Sequence, residues 1–430
     1  MNTSFYVLTD THYFETSLGC SGEAYEHYMQ TEQMCLKENQ EICRSVFEEI
    51  AKDKETNIVI MPGDLSKNGE YESHISLIKD LQKLKEAGKE IYVLTARHDF
   101  NDNPHCYQGA EKPTIKGTKR EELPELYAEF GYNQAIAVDE ISLSYVAEIA
   151  PKLRLLAINS DGTAEKKGYI DERLYSWLKE QIDIAKADGC KIIAMNHYPI
   201  IPQAPIFELI GDAKIKEYKK VAAFLADNGV KYIFTGHMHG QSVKPFISYA
   251  GNMMYDVQTS ALVGYPAKYR KVTFNDGACN IESFRITAFS DEYMKAQFNQ
   301  MIPNRLKRML KAEGDDAKFI NKFLYKKLNS LNVGTLCRLL WIIPDKSIKK
   351  IKIMDFACDL VMQVFAGTLN YNPDTAVYKT VVKIFKRLGF VMKKLNKKLS
   401  KPENPVDLPN LILNSLYNTT GIDNNNCILE

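Results

Sequence analysis

The stretch FYVLTDTH at residues 5–12 decides how this chain is read. Phe5–Leu8 is a short apolar run, too brief for a helix and rich in aromatic and β-branched types, so it predicts a strand. The run ends in Thr9, and two metal-capable side chains follow it two residues apart, Asp10 and His12. The same plan recurs: IVIMPGD (58–64) ends in Asp64, IYVLTARHD (91–99) in His98 and Asp99, KIIAMNH (191–197) in His197, and KYIFTGHMH (231–239) in His237 and His239. Leu153–Ile158 is a sixth strand-like run, without such an ending. Helical patterns lie between these runs, at Glu41–Ala51, His74–Ala87, Arg173–Ala187 and Lys216–Asp227, and Gly88, Gly189 and Gly229 act as stop signals. Strands alternating with helices predict βαβ units, whose ligands gather at the carboxyl edge of the sheet.

Residues i and i+2 of extended backbone share a face, so D-x-H and H-x-H are each expected to aim two side chains at one centre. Imidazole and carboxylate without thiolate suit Zn, Fe or Mn. Eight ligand-type groups exceed one tetrahedral ion but fit two ions sharing a bridging carboxylate. Such ions, ~3.5–4 Å apart, clamp a phosphoryl group and activate water.

Taken in order, D-x-H, GD, HD, NH and GH-x-H resemble the calcineurin-like metallophosphoesterase family over roughly residues 3–285. GDLSKNGEYESH at 63–74 also looks like its bacterial cyclic-nucleotide-phosphodiesterase-like branch. The resemblance implies a four-layer α/β/β/α sandwich. It also implies metal-dependent hydrolysis of a phosphomonoester or phosphodiester, with a metal-bound hydroxide attacking phosphorus. Asp10, His12, Asp64 and His239 would hold the first ion, and Asp64, His197 and His237 the second, with Asp64 bridging. His98 would face the substrate phosphate and Asp99 would orient His98. The substrate would be a small phosphoester, such as a nucleotide.

One position departs from the family. Its motif is G-N-H-D or G-N-H-E, and the Asn ligates the second metal, whereas this chain reads Ala96-Arg97-His98-Asp99. Arginine offers no lone pair and stays protonated. Three readings stay open: Arg97 forks a substrate phosphate, the second metal is weak, or the chain is a catalytically weak or inactive phosphate-ligand binder. A nuclease is a further alternative, disfavoured because residues 1–284 lack a basic stripe. Tyr13 and Asn103, beside the motifs, are candidate substrate contacts. His27, His74 and His105 read as structural or surface histidines.

The chain has 430 residues, 45% hydrophobic and 25% charged, which excludes disordered and collagen-like classes. No run of ~18 apolar residues predicts a spanning helix. Residues 285–430 carry 24 Lys+Arg against 13 Asp+Glu, while residues 1–284 carry 31 against 41. That reversal predicts two regions: a catalytic domain at 1–288 and a basic helical domain at 289–400, followed by a loosely ordered tail at 401–430. Helices are expected at Tyr293–Leu310, Ala317–Leu331, Leu336–Ile343, Ile348–Gly367 and Thr375–Leu399. The last is amphipathic and basic, so membrane-surface contact is a candidate role beside plain solvation. Nine scattered cysteines without C-x-x-C spacing, and no signal-like N-terminus, predict a cytoplasmic protein with reduced thiols. Two long stretches, Glu15–Asn39 and Phe100–Asn133, leave the catalytic edge and are candidates to cap it.

Overall fold

The computed structural model describes residues 2–161, 167–275, 277–311, 330–400 and 405–430. The chain divides into two compact units. The first comprises Met1–Gln203, Gly211–Phe298 and Ile422–Glu430, and the second Ala204–Ile210 and Asn299–Gly421.

The described strands of the first unit form two sheets. Their ranges are β1 (Thr3–Val7), β2 (Ile58–Pro62), β3 (Glu90–Leu94), β4 (Ala135–Asp139), β5 (Ser144–Ala150), β6 (Leu153–Ile158), β7 (Lys191–Asn196), β8 (Tyr232–Thr235), β9 (Ser242–Ile247), β10 (Met253–Gln258), β11 (Lys268–Asn275), β12 (Ala278–Arg285) and β13 (Cys427–Leu429). One sheet runs β13-β12-β11-β1-β2-β3 and the other β4-β5-β6-β7-β8-β10-β9. β1, β2 and β3 are mutually parallel, as are β6, β7 and β8, so the carboxyl ends within each trio share one edge.

Strand period explains how the sheets meet. Phe5 and Val7 of β1, Ile58 and Ile60 of β2, and Tyr92 and Leu94 of β3 project to one face. They pack against Leu155, Ile193, Met195 and Phe234 of the other sheet. Phe5 meets Phe234 edge-on at 5.2 Å. The outer face of the second sheet, through Leu156, Ala194 and Ile233, packs on Leu174, Leu178 and Ile182 of helix Glu172–Ala187 and on Val221 and Leu225 of helix Tyr218–Asp227. Helix Tyr71–Glu86 packs on β3 of the first sheet and on helix Asn39–Lys52. Each buried Leu, Ile or Phe contributes about 1.5–3 kcal/mol. The layers are therefore helix, sheet, sheet, helix, the α/β sandwich with added C-terminal helices that was expected.

Three expectations are corrected. The first unit extends to Phe298, inside helix Asp291–Lys311, rather than stopping at residue 288. The tail is not loose throughout: Leu408–Asn414 is helical, and β13 pairs antiparallel with β12 through Cys427, Ile428 and Leu429. Asn424 and Asn425 fasten that return, because Arg270, fully buried, donates to both their carbonyls. The expected helix Thr375–Leu399 is two helices, Ala376–Arg387 and Gly389–Leu399, broken at Leu388. Hairpin β4–β5 was not expected from the sequence.

The core of the second unit gathers Val333, Cys337, Ile342, Ile348, Val377 and Ile384. The expected helix Ala317–Leu331 lies outside the described residues except for its last two positions. No helix among the described residues is long and apolar enough to cross a membrane.

Candidate metal centre

The residues after β1, β2, β7 and β8 converge, but not by the extended geometry expected from the i, i+2 spacing. Asp10, His12, Asp64, His237 and His239 all have positive φ, at 51°, 36°, 52°, 68° and 57°. Left-handed backbone at a non-glycine residue costs about 1–3 kcal/mol and persists only where its surroundings hold it. Here they do. The amides of Asp10 and His12 donate to the carbonyls of Gly63 and Asp64 at 3.2 and 3.0 Å. The Asn39 side-chain amide donates to the carbonyls of Thr11 and His12, both at 2.9 Å. The His237 amide donates to Asp10 Oδ2 at 3.0 Å. Gly236 leaves no room for a side chain, since a Cβ there would stand 2.4 Å from Asp10 Oδ2.

Two clusters result, Asp10–His12–His239 and Asp64–His197–His237, each with its ligand-capable atoms within 4.8 Å of one another. In the first, Nε2 of His12 and Nε2 of His239 are 3.0 Å apart, and His239 Nε2 is 3.2 Å from Asp10 Oδ1. Asp64 Oδ2 is 2.9 Å from His197 Nε2 and 3.8 Å from His12 Nε2, so one oxygen faces both clusters. In the second cluster, Pro62's carbonyl holds His197 Nδ1 at 2.9 Å, and Asp212's carbonyl holds His237 Nε2 at 2.7 Å. Those contacts commit one ring nitrogen of each histidine and leave the other for a ligand bond.

These groups fit metal ions. Two carboxylates with four imidazoles, converging within 4.8 Å in each cluster, form a borderline-to-hard donor set. Burial lowers the pKa of His12 to about 3 and of His237 to about 4, which keeps both neutral as ligands must be. Burial would also neutralise His197, but the Asp64 charge and contact dominate and raise it to about 10. Burial opposes charge on Asp64, yet His197 and His98 hold its carboxyl well below the usual range.

His98 borders the centre. Its amide donates to Asp64 Oδ1 at 3.0 Å, and its ring centroid lies 5.1 Å from that of His12. Asp99 does not orient it: the Asp99 oxygens accept from the amides of Ser66 and Ala96 at 2.8 and 2.7 Å and close the loop instead. The carbonyl of Lys67 does that work, holding His98 Nδ1 at 3.0 Å. Lys67 is itself clamped, with Nζ 3.1 Å from the Tyr107 hydroxyl, 3.4 Å from Glu70 Oε1 and 4.7 Å from the Tyr28 ring centroid. Tyr28 and Tyr107 come from the two long inserted stretches, which therefore brace the GD loop. His74, fully buried, contacts the Asp99 carbonyl at 2.9 Å and is structural.

Three other candidates lie elsewhere. Tyr13 is fully buried and gives its hydroxyl to Asp80 at 2.5 Å, so it offers no face for stacking. Asn103 is exposed in a turn capped by Asn101. Arg97 Nη1 donates to the Phe100 carbonyl at 3.1 Å and its guanidinium sits 5.0 Å from the Phe100 ring centroid, docked on its own loop. Sequence reading missed Asn39 and Lys67 as supports. Asn39 carries no motif signal, and Lys67 lies inside the quoted GDLSK stretch without a charge pattern to single it out.

The profile of the calcineurin-like phosphoesterase family matches residues 3–241. No curated protein gives a sequence match. Among solved structures, a dimetal phosphatase from Danio rerio is similar at 13% identity and a TM-score of 0.47, over 67% of this chain and 99% of that one. A purple acid phosphatase from yellow lupin (Lupinus luteus) is similar at 13% identity and a TM-score of 0.44, over 66% of this chain and 52% of that one. The NAD nucleotidase of Haemophilus influenzae is similar at 13% identity and a TM-score of 0.37, over 78% of this chain and 62% of that one. With the profile spanning more than half of the 430 residues, the chain belongs to the calcineurin-like phosphoesterase family.

Proposed function

We propose that this protein hydrolyses a small phosphomonoester or phosphodiester, a nucleotide being the favoured class, in a reducing, cytoplasmic setting. The observation that carries the proposal is Asp64 Oδ2, set 2.9 Å from His197 Nε2 and 3.8 Å from His12 Nε2, a bridging position between two ligand clusters. Asp10, His12, His239 and Asp64 would hold one ion, and Asp64, His197 and His237 the other, each Mn, Fe or Zn. Such a pair supplies Lewis acidity, lowering the pKa of water and neutralising charge on the phosphoryl oxygens. The protein's own part is placement. His98, fixed through Nδ1 by the Lys67 carbonyl, keeps Nε2 as the ring atom for a leaving oxygen. Asp99 holds the backbone that delivers His98. The stretch at 63–74 supports a cyclic-nucleotide-phosphodiesterase-like specificity.

A second reading, a weakly catalytic or inactive phosphate binder, is favoured by one observation: Arg97, where the family has its Asn ligand, turns onto Phe100. Hydrolysis of 4-nitrophenyl phosphate and bis(4-nitrophenyl) phosphate by chelator-stripped and by Mn-, Fe- or Zn-loaded protein separates the two. Turnover that requires metal and is lost in Asp64→Ala supports the hydrolase; binding of phosphate without turnover under every loading supports the binder. Nicking of supercoiled DNA under the same loadings tests the nuclease alternative.

A further inference from the structure

The second cluster is one protein donor short of the family's pattern, and the deficit has a neighbour. Asp161 lies three residues beyond β6, and β6 runs parallel beside β7 with Ile158 opposite Asn196. That register brings the residues after β6 alongside His197, the first residue after β7. Asp161 is 2% exposed, and no side chain hydrogen-bonds its carboxylate oxygens. A buried carboxylate that no cationic side chain pairs is costly, so its charge calls for a counter-charge. Burial raises its pKa; the strongest charges acting on it are those of His197, which opposes that rise, and Asp64, which adds to it, both of the second cluster. The backbone amides of Arg97 and Gly168 also lie near enough to favour its ionised form. Asp161 therefore stands beside position 97, where the family places its amide ligand. The Arg97 side chain has left that position for the Phe100 carbonyl and ring.

We propose that Asp161 is the oxygen ligand that completes the second metal site, in place of the amide that Arg97 cannot supply. The inference rests on the dinuclear reading of the centre and assigns it a residue outside the motifs.

The test is a calorimetric titration of Mn(II) into chelator-stripped full-length protein, with bound metal counted by mass spectrometry and exchange coupling between the ions read by electron paramagnetic resonance. Wild type is expected to bind two ions and show the coupled signal. Asp161→Ala is expected to keep the first ion, weaken the second by at least tenfold and lose the coupled signal. Adding Arg97→Asn to Asp161→Ala is expected to restore the second ion, because an amide oxygen returns to the position the family uses. Should Asp161→Ala misfold by circular dichroism, the near-isosteric Asp161→Asn is measured instead, with a weaker second ion again expected. Two ions with wild-type affinities and coupling in the Asp161 variant would overturn the assignment while leaving the dinuclear reading intact. A wild type that binds fewer than two ions would overturn both.

Discussion

The two halves of the candidate metal centre are built from the same chemistry and differ in how many donors they bring together. The cluster of Asp10, His12 and His239 has three candidate motif ligands and faces Asp64 as a fourth. The cluster of Asp64, His197 and His237 has the same three types but lacks the family's amide, with Arg97 in its place. Their supports differ too. The first is pinned from below by Asn39 and by the amide of His237 on Asp10. The second relies on carbonyls, those of Pro62 and Asp212, to fix its two imidazoles. A motif can thus stay legible in a sequence while the strength of the site it marks is set by a residue outside it.

Removing the shared carboxylate should have the largest effect. Asp64→Ala is expected to lose both ions and to lower turnover by more than about 10³-fold, beyond the loss of one stabilising contact. Asp10→Ala is expected to lose only the first ion. Metal content after identical loading checks this, and equal losses would break the distinction between shared and private ligands. His98→Ala should come next, lowering kcat by about 10²–10⁴-fold with both ions retained, if His98 serves substrate rather than metal as proposed. Steady-state kinetics and metal counting on the same sample decide it. Lys67→Met removes the clamped ammonium but keeps the carbonyl that holds His98, so kcat should fall by about 10–100-fold without metal loss. A shift in the pH profile would mark a positioning role and not mere destabilisation. Arg97→Asn should act on the second cluster alone, tightening its ion by about tenfold, which is 1.4 kcal/mol, while the first constant stays fixed.

A separate prediction concerns stability. Asp256, fully buried on β10, accepts from the amides of Ile200 and Ile201 in the loop after His197 and from the hydroxyl of Thr235. Burial raises its pKa from 3.8 to about 6. The folded state therefore binds the proton more tightly than the unfolded chain. Stability from this group is greatest below pH 3.8 and declines as pH rises to about 6, by roughly 3 kcal/mol. Asp256→Asn cannot titrate, so the stability gap between variant and wild type should change by that amount between about pH 4 and 6 and be flat above. Chemical denaturation across that range measures it, and a gap independent of pH would remove Asp256 as the titrating support of the second cluster.

The convergence of these side chains was legible because each candidate ligand closely follows a short apolar strand, a local pattern that needs no tertiary knowledge. The sign of φ at Asp10, His12, Asp64, His237 and His239 was not. Left-handed backbone at these residues is imposed by neighbours such as Asn39 and Gly63, distant in sequence. Asp99 illustrates a further limit: a carboxylate next to a histidine suggests an orienting pair, yet a carbonyl one strand away, that of Lys67, has the better approach. Strand β13 escaped notice because three residues after an Asn-rich stretch carry no period. It is held by Arg270, 157 positions before Cys427, through contacts no local pattern encodes. Asp161 was invisible for a similar reason, since a lone Asp after Asn159 and Ser160 looks like turn chemistry until its burial is known.

The central claim is that Asp64 joins two metal ions, and anomalous diffraction from crystals grown with Mn(II) tests it most directly. Two peaks ~3.5–4 Å apart, one beside Asp10, His12 and His239, the other beside His197 and His237, with Asp64 Oδ2 between them, are the predicted result. A single peak, or two peaks neither of which touches Asp64, would contradict it.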